Sequence, residues 1–251
     1  MEKYKVYYDL HTHTSYSHGH GSPRENVLAA IDRGLDKIAV SEHGPGHFTF
    51  GVRGKKLEKL NNELLSLRRE FEGKIQVLRG LELNVTGFGK TDCPANRDDY
   101  DVIILGYHKS VPPFNRVALG VWAESLLKLR NDPHRSAEAI LASAESCRAD
   151  IISHPNLYLK VDIPYMARCC RELGVLLEVN SSRVTLSDDE LQIIKKEGCG
   201  LIIGSDAHSP DRVGDFRLAS EAVTRAGVWE AVKNARRITP NSECGMRNSE
   251  F

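Results

Sequence analysis

The chemistry-bearing side chains of this 251-residue chain recur in short, similar contexts. His11 and His13 are two residues apart, so in extended backbone both imidazoles face one side and can reach a single cation. Asp206 and His208 repeat that spacing near the other end of the chain. His43, Glu82, His108 and His154 lie between them, each in or just after an apolar segment. Imidazole mixed with carboxylate suits zinc, manganese or iron, whereas carboxylate alone would suit magnesium. A lone histidine at a strand end is ordinarily a hydrogen-bonded surface or core residue. Six coincident placements are different, because burying so many titratable groups without a cation would be costly.

Those groups need elements that aim them. Apolar, β-branched segments at 5–10, 37–41, 75–85, 100–107, 150–153, 175–179 and 200–204 read as strands. Helical patterns fall between them at 23–34, 55–71, 136–147, 163–173, 186–197 and 211–226. Ser22 with Pro23 marks a helix start and Gly34 a stop. Ser187 with Glu190 resembles a capping box, and Ser136 does so less closely. Leucines 57, 60, 64 and 67 form a helical stripe that reads as core packing. Strand–helix alternation repeated about seven times predicts one parallel α/β domain over residues 1–238, with 239–251 a polar, aperiodic tail. A closed barrel and an open doubly wound sheet both satisfy this pattern. No Gly-x-Gly-x-x-Gly follows the first strand, which lowers the dinucleotide-fold option. In either fold the carboxyl ends of the strands form the rim where active sites are built. The histidines and acids map there.

Composition narrows the classes further. Thirty-four basic residues balance 34 acidic ones, which removes the global basic field of a nucleic-acid coater. A hydrophobic share of 41% supports a sizeable core and excludes overall disorder. Apolar runs such as 102–105 fall well short of the ~18 residues that cross a bilayer. The start runs straight into a strand-like segment, so no signal peptide is read, and a cytoplasmic protein is expected. Six scattered cysteines without a CxxC pair argue against a zinc ribbon or a disulfide framework. Oligomeric state is not readable.

The motifs taken together resemble those of the PHP (polymerase and histidinol phosphatase) superfamily, in order and over most of the chain. They are Asp9-Leu10-His11-Thr12-His13-Thr14, Ser41-Glu42-His43-Gly44, Gly80-Leu81-Glu82, Gly106-Tyr107-His108, Ile152-Ser153-His154-Pro155 and Gly204-Ser205-Asp206-Ala207-His208. Glu178-Val179-Asn180-Ser181-Ser182 is similar to the sixth-strand motif of the stand-alone, YcdX-like phosphatases. The resemblance implies a distorted (β/α)7 TIM-like barrel holding three divalent metal ions, zinc above all, with manganese or iron as alternatives. It implies a first ion on His11, His13, Glu82 and Asp206, and a second on Glu82, His108 and His154. The third falls to His18, His43 and His208. Relatives commonly carry aspartate where this chain has Glu42, whose longer arm is expected to alter how His43 is oriented. His18 matches by its spacing from His11, but Gly19 makes the loop pliable and His20 could substitute.

Three such cations meet only two carboxylates, so the site should attract an oxyanion. The implied reaction is hydrolysis of small phosphate monoesters by a metal-activated hydroxide, with Glu82, Asp206 and His208 as catalytic residues. Asp206 or His208 could relay the proton to the leaving alkoxide. His47, Arg53, Arg79, Lys109 and Arg183 adjoin the motifs and could contact phosphate or leaving group, although a solvated surface charge is the plainer account of each cation. His134 precedes a helix and is left out of the site. Histidinol phosphate is the named runner-up substrate. DNA, through a PHP-type nuclease or polymerase-associated module, and amidohydrolase chemistry are the rivals; amidohydrolases generally hold one or two metals. Specificity is expected in the rim loops 44–55 and 111–121.

Overall fold

The computed structural model describes residues 3–108 and 132–238. Lys109, the rim loop 111–121 and the tail 239–251 lie outside the described residues.

In chain order the elements are β1 (Lys3–Val6), β2 (Tyr8–Asp9), α1 (Pro23–Asp32), β3 (Lys37–His43), α2 (Lys55–Glu70), β4 (Gln76–Gly87) and β5 (Lys90–Thr91). They continue with β6 (Val102–Gly106), α3 (Pro133–Cys147), β7 (Ile151–Ile152), α4 (Ile163–Leu173), β8 (Leu176–Asn180), α5 (Asp188–Lys196), β9 (Leu201–Gly204), α6 (Arg217–Ala226) and β10 (Ala235–Ile238). Strands β2, β3, β4, β6, β7, β8 and β9 pair in that order, all in parallel. A parallel bridge between Thr12 and Ala207 then joins the last strand's extension to the first's. The result is a nearly closed seven-stranded barrel, which resolves the choice the periodicity left open.

Side chains hold the seam where β2 and β9 do not pair directly. Asp9 accepts from the backbone N–H of Ser205 at 3.2 Å and of Gly214 at 2.9 Å. Asn234 donates to the carbonyls of Tyr8 and Ile203, and accepts from Ile203 N–H. These bonds satisfy strand-edge groups that would otherwise be buried without partners.

Parallel strands covered by helices must be apolar on both faces. Outside the barrel, Ile103, Leu105 and Leu177 pack with Ile140, Met166, Leu191 and Val223 of the helices. Inside it, Ala39, Val102, Ile104, Ile151 and Ile202 form a separate cluster that fills the lower barrel. The leucine stripe of α2 buries Leu60, Leu64 and Leu67, and leaves Leu57 half-buried. Capping boxes close Ser22/Glu25 and Ser187/Glu190, as their spacing indicates.

Three elements differ from expectation, and β10 is an additional strand. The first strand divides at Tyr7, whose N–H bonds the Asn234 carbonyl, so β1 leaves the barrel and pairs antiparallel with β10. β10 is charged and half-exposed, and so carries no periodic signal. Helix α3 begins three residues early because Asp132, not Ser136, caps it, which places His134 in its first turn. The segment 211–226 is not one helix: Gly214 takes φ +71°, and α6 starts only at Arg217.

Candidate metal centre

Strand period two carries the barrel interior from apolar to polar. On β3 the inward series runs Ala39, Ser41, His43; on β4 it runs Leu78, Gly80, Glu82, Asn84. Register pairs Ser41 with Gly80 and His43 with Glu82, so small side chains form a layer beneath the ligand-type ones. Close approach dictates Gly106 above them: a Cβ there would stand 2.7 Å from a ring carbon of His108 and 2.7 Å from Ser153 Oγ. Two rim residues, His154 (φ +30°) and Asp206 (φ +50°), hold backbone conformations that L-residues rarely adopt. Strain of this kind persists where the surroundings enforce it, and it clusters at functional sites.

Glu82 is the hub. Its Oε1 lies 3.4 Å from His11 Nε2, 3.3 Å from His108 Nε2 and 3.0 Å from His154 Nε2. Its Oε2 lies 3.5 Å from His13 Nε2 and 3.0 Å from His43 Nδ1. Asp206 Oδ1 stands 3.5 Å from His11 Nε2 and 3.4 Å from His13 Nε2. Ligand atoms about 2.0–2.1 Å from one tetrahedral ion are separated by roughly 3.3–3.4 Å. The spacing among His11, His13, Glu82 and Asp206 matches that geometry.

Orphaned atoms point the same way. His11 Nε2, both ring nitrogens of His13, His18 Nδ1 and His43 Nδ1 are buried without a hydrogen-bond partner. Unsatisfied buried nitrogens are expensive, and a cation would satisfy them. Three compact donor sets have their atoms within 4.8 Å of one another: His11/His13/Glu82, His13/Asp206/His208 and His43/Glu82/His108. His18 joins through its ring, 4.3 Å from that of His208 and 4.9 Å from that of His43. The residues present therefore fit divalent cations.

Neighbouring groups fix the tautomers. A carboxylate only accepts, so the 2.7 Å contact of Glu178 Oε1 places the His11 proton on Nδ1 and leaves its Nε2 lone pair facing the cluster. Glu178 Oε2 also accepts from the backbone N–H of His154, at 2.9 Å. His208 Nδ1–H donates to the Asp206 carbonyl at 2.9 Å, freeing its Nε2. Asn180 holds Asp206 Oδ2 at 3.1 Å and Ser153 donates to Glu82 Oε1 at 3.0 Å.

Charge is shared accordingly. Burial works against ionising Glu82 and Asp206, yet His108 and His11 hold Glu82, and His11 and His13 hold Asp206, well below the carboxylate range. Burial would lower His13, but the nearby carboxylates of Asp206, Glu42 and Glu82 raise it to about 9. Burial pushes His43 well down, and pushes His18 and His47 down to about 4.

The residues singled out in the sequence separate clearly. Nine of them (His11, His13, His18, His43, Glu82, His108, His154, Asp206 and His208) meet at one rim around a cavity of about 390 Å³. His47 joins that wall, its ring 4.6 Å from His43. His20 is exposed, and its backbone N–H donates to the His208 carbonyl. Arg53 is exposed and donates to the Phe48 carbonyl; Arg183 is exposed on the loop after β8. Arg79 takes the outward register of β4, opposite to Glu82. Among the described residues, no arginine or lysine lines the cavity. Glu42 does not act on His43: it accepts from Thr14 N–H and from the Thr14 and Ser17 hydroxyls, on the far side of its strand, and lies 3.7 Å from His13 Nδ1. Asn84, Asp92 and Ser153 were not singled out. Asn84 was reachable, being two residues beyond Glu82 on one strand face, whereas Asp92 follows a bulged hairpin and carries no signal.

Barrel and rim define the class as a TIM-like scaffold with a metal-fitting rim. Within it, this chain belongs to the PHP domain family, whose model matches residues 9–242. It is 28% identical over 238 residues to a probable phosphatase of Thermoanaerobacter sp. (strain X514), covering 90% of this chain and 89% of the relative. It is 32% identical over 221 residues to a probable phosphatase of Edwardsiella ictaluri (strain 93-146), covering 83% and 81%. It also aligns at 25% identity with the DNA polymerase/3'-5' exonuclease PolX of Bacillus subtilis (strain 168), over 90% of this chain but 38% of that longer protein. In fold it is similar to histidinol phosphate phosphatase of Lactococcus lactis, a structure complexed with zinc, L-histidinol and phosphate. That likeness has a TM-score of 0.58 at 18% identity and covers 88% and 94% of the two chains.

Proposed function

We propose that this chain, a metal-dependent phosphatase of the PHP family, hydrolyses small phosphate monoesters at a trinuclear centre. The observation that carries the reading is the sharing of one buried carboxylate, Glu82, by five imidazoles delivered from four separate stretches of chain. His11, His13, Glu82 and Asp206 would hold one cation; Glu82, His108 and His154 a second; His18, His43 and His208 a third. Zinc suits the imidazole-rich donors best, with manganese or iron as alternatives. Bound cations supply Lewis acidity: they lower the pKa of water and neutralise charge on phosphoryl oxygens.

The chain's own residues prepare that chemistry. Glu178 and the Asp206 carbonyl fix which nitrogen of His11 and His208 is free. Asn180 restrains one oxygen of Asp206, so the other faces the imidazoles. Because no described cationic side chain lines the cavity, orientation of the phosphoryl group falls to the rim donors and the ions they hold. His208, with its Nδ1 proton committed to the Asp206 carbonyl, serves as a ligand through Nε2. A cytoplasmic location accords with five described cysteines that are all free thiols. Among the described residues, no helix is long and apolar enough to cross a membrane.

Phosphate release from a generic aryl phosphate by metal-loaded protein tests the reading. The wild type should turn over, and Asp206→Ala should lose at least about 100-fold in kcat/KM. Undiminished activity in that variant, or none in the wild type, would refute it. A single-stranded DNA substrate in the same assay separates a nuclease, and about three metals per chain by elemental analysis separates an amidohydrolase-like site.

A further inference from the structure

The rim cavity has two chemically different halves. Glu82, Asp206 and the histidines make its floor; Phe50, Leu157 and Tyr158 stand at its mouth. Phe50 and Tyr158 are 40% and 39% exposed and offer ring surface to the cavity that they line. They come from different connections, the β3–α2 loop and the β7–α4 loop.

Both loops are held in place. Phe50 N–H donates to His47 Nδ1 at 3.1 Å, and its ring stacks on that of His18 at 4.3 Å and 19°. Gly46 N–H of the same loop donates to Asp92 at 2.8 Å. Across the mouth, Leu157 N–H bonds the His154 carbonyl at 3.1 Å, and Tyr158 meets the His154 ring edge-on at 6.5 Å. Asn156 ties that loop down by accepting from Val161 N–H and donating to Glu190. Aromatic surfaces fixed in advance bind with little loss of side-chain freedom. Charge decides what they bind. Among the described lining residues the only acids are Glu82 and Asp206, both committed to the floor, and there is no lysine or arginine. Among the described lining residues, no charged side chain is left over to pair with an ammonium, a carboxylate or a second phosphate on the leaving group.

We infer that the mouth is a leaving-group subsite for a flat, uncharged aromatic alcohol, with Phe50 and Tyr158 as its specificity-determining residues. The inference rests on the monoesterase reading of the floor. A volume of about 390 Å³ suits one such small ester, at the lower end of ligand-site sizes.

Four monoesters of aliphatic-type alcohols test it on metal-loaded enzyme: benzyl phosphate, cyclohexylmethyl phosphate, glycerol 3-phosphate and phosphoethanolamine. Benzyl and cyclohexylmethyl groups share size and differ in flatness. The KM for benzyl phosphate should lie about 2- to 10-fold below that for cyclohexylmethyl phosphate, and further below those of the other two. Phe50→Leu and Tyr158→Leu, each checked for wild-type metal content and circular dichroism, should bring the benzyl-to-cyclohexylmethyl ratio toward one. Equal KM values in the wild type, a ratio that survives both substitutions, or a preference for phosphoethanolamine would overturn the subsite while leaving the phosphatase reading intact. Release from none of the four would overturn both.

Discussion

The amide oxygen of Asn84 lies 2.7 Å from His108 Nδ1, while its amide nitrogen donates to Asp92 at 2.7 Å. The second bond fixes which way the amide faces, and the first then places the His108 proton on Nδ1. Burial pushes the Asp92 carboxyl up, and the N–H groups of Asn84 and Gly46 pull it back. A carboxylate–amide–imidazole chain therefore presents His108 Nε2 to Glu82.

Removing the middle of that chain should be felt at the metal. Asn84→Ala should lower affinity for the cation held by His108 by about 10- to 100-fold, and cost about 1–3 kcal/mol of stability through the side-chain bonds lost to Asp92 and His108. Zinc competition against a chromophoric chelator measures the first, and urea unfolding the second. Unchanged zinc affinity would contradict the relay.

His18 and His20 are distinguished by the same metal count. His18 touches the rings of His13, His43 and His208, whereas His20 is exposed. His18→Ala should lose about one bound metal per chain by elemental analysis, and His20→Ala should lose none. The reverse pattern would move the third site to His20.

Much of this architecture was legible beforehand for one reason: in a parallel barrel, chemistry collects at strand ends, and strand ends are visible as apolar runs. His43, Glu82, His108 and Asp206 could thus be placed by their runs alone. Residues that act across the chain were harder. Asp92 reaches Asn84 and Gly46 through a hairpin, and Asn234 closes the barrel from 226 residues beyond Tyr8; neither has a local pattern. Glu42 illustrates the opposite failure. Its neighbour in sequence is His43, but strand alternation turns it toward Thr14 and Ser17. The same alternation turns Arg79 outward, in the register opposite to Glu82.

His134, away from the rim, provides a pH test of the packing between α3 and α4. Its Nδ1 lies 3.0 Å from Asp162, whose hydrogen bond holds the imidazole above its ordinary value. A raised histidine stabilises the fold fully below about pH 6.5, and that contribution is lost as pH rises through its higher folded value. Asp162→Asn keeps a good cap for α4 yet removes the charge, so the His134 titration should move down toward the ordinary value by NMR, with Glu138 and Asp132 still holding part of the shift. Since the pair is exposed, 1 M salt should shrink the shift as well. A titration unaffected by the substitution would contradict the contact.

Chelation should loosen the barrel rim. Cations at about 100 times their dissociation constant contribute about 2.7 kcal/mol per site, worth several degrees in Tm for a chain of this size. Melting curves before and after EDTA dialysis should differ by at least about 5 °C and coincide again on adding zinc. An identical Tm without metal would mean that the buried imidazoles are satisfied in some other way.

The most direct measurement is anomalous diffraction from crystals of the metal-loaded protein, recorded at the zinc, manganese and iron edges. Three peaks are predicted: one among His11, His13, Glu82 and Asp206, one against Glu82, His108 and His154, and one against His18, His43 and His208. An intact barrel with no peak within bonding distance of Glu82 would contradict the account at its root.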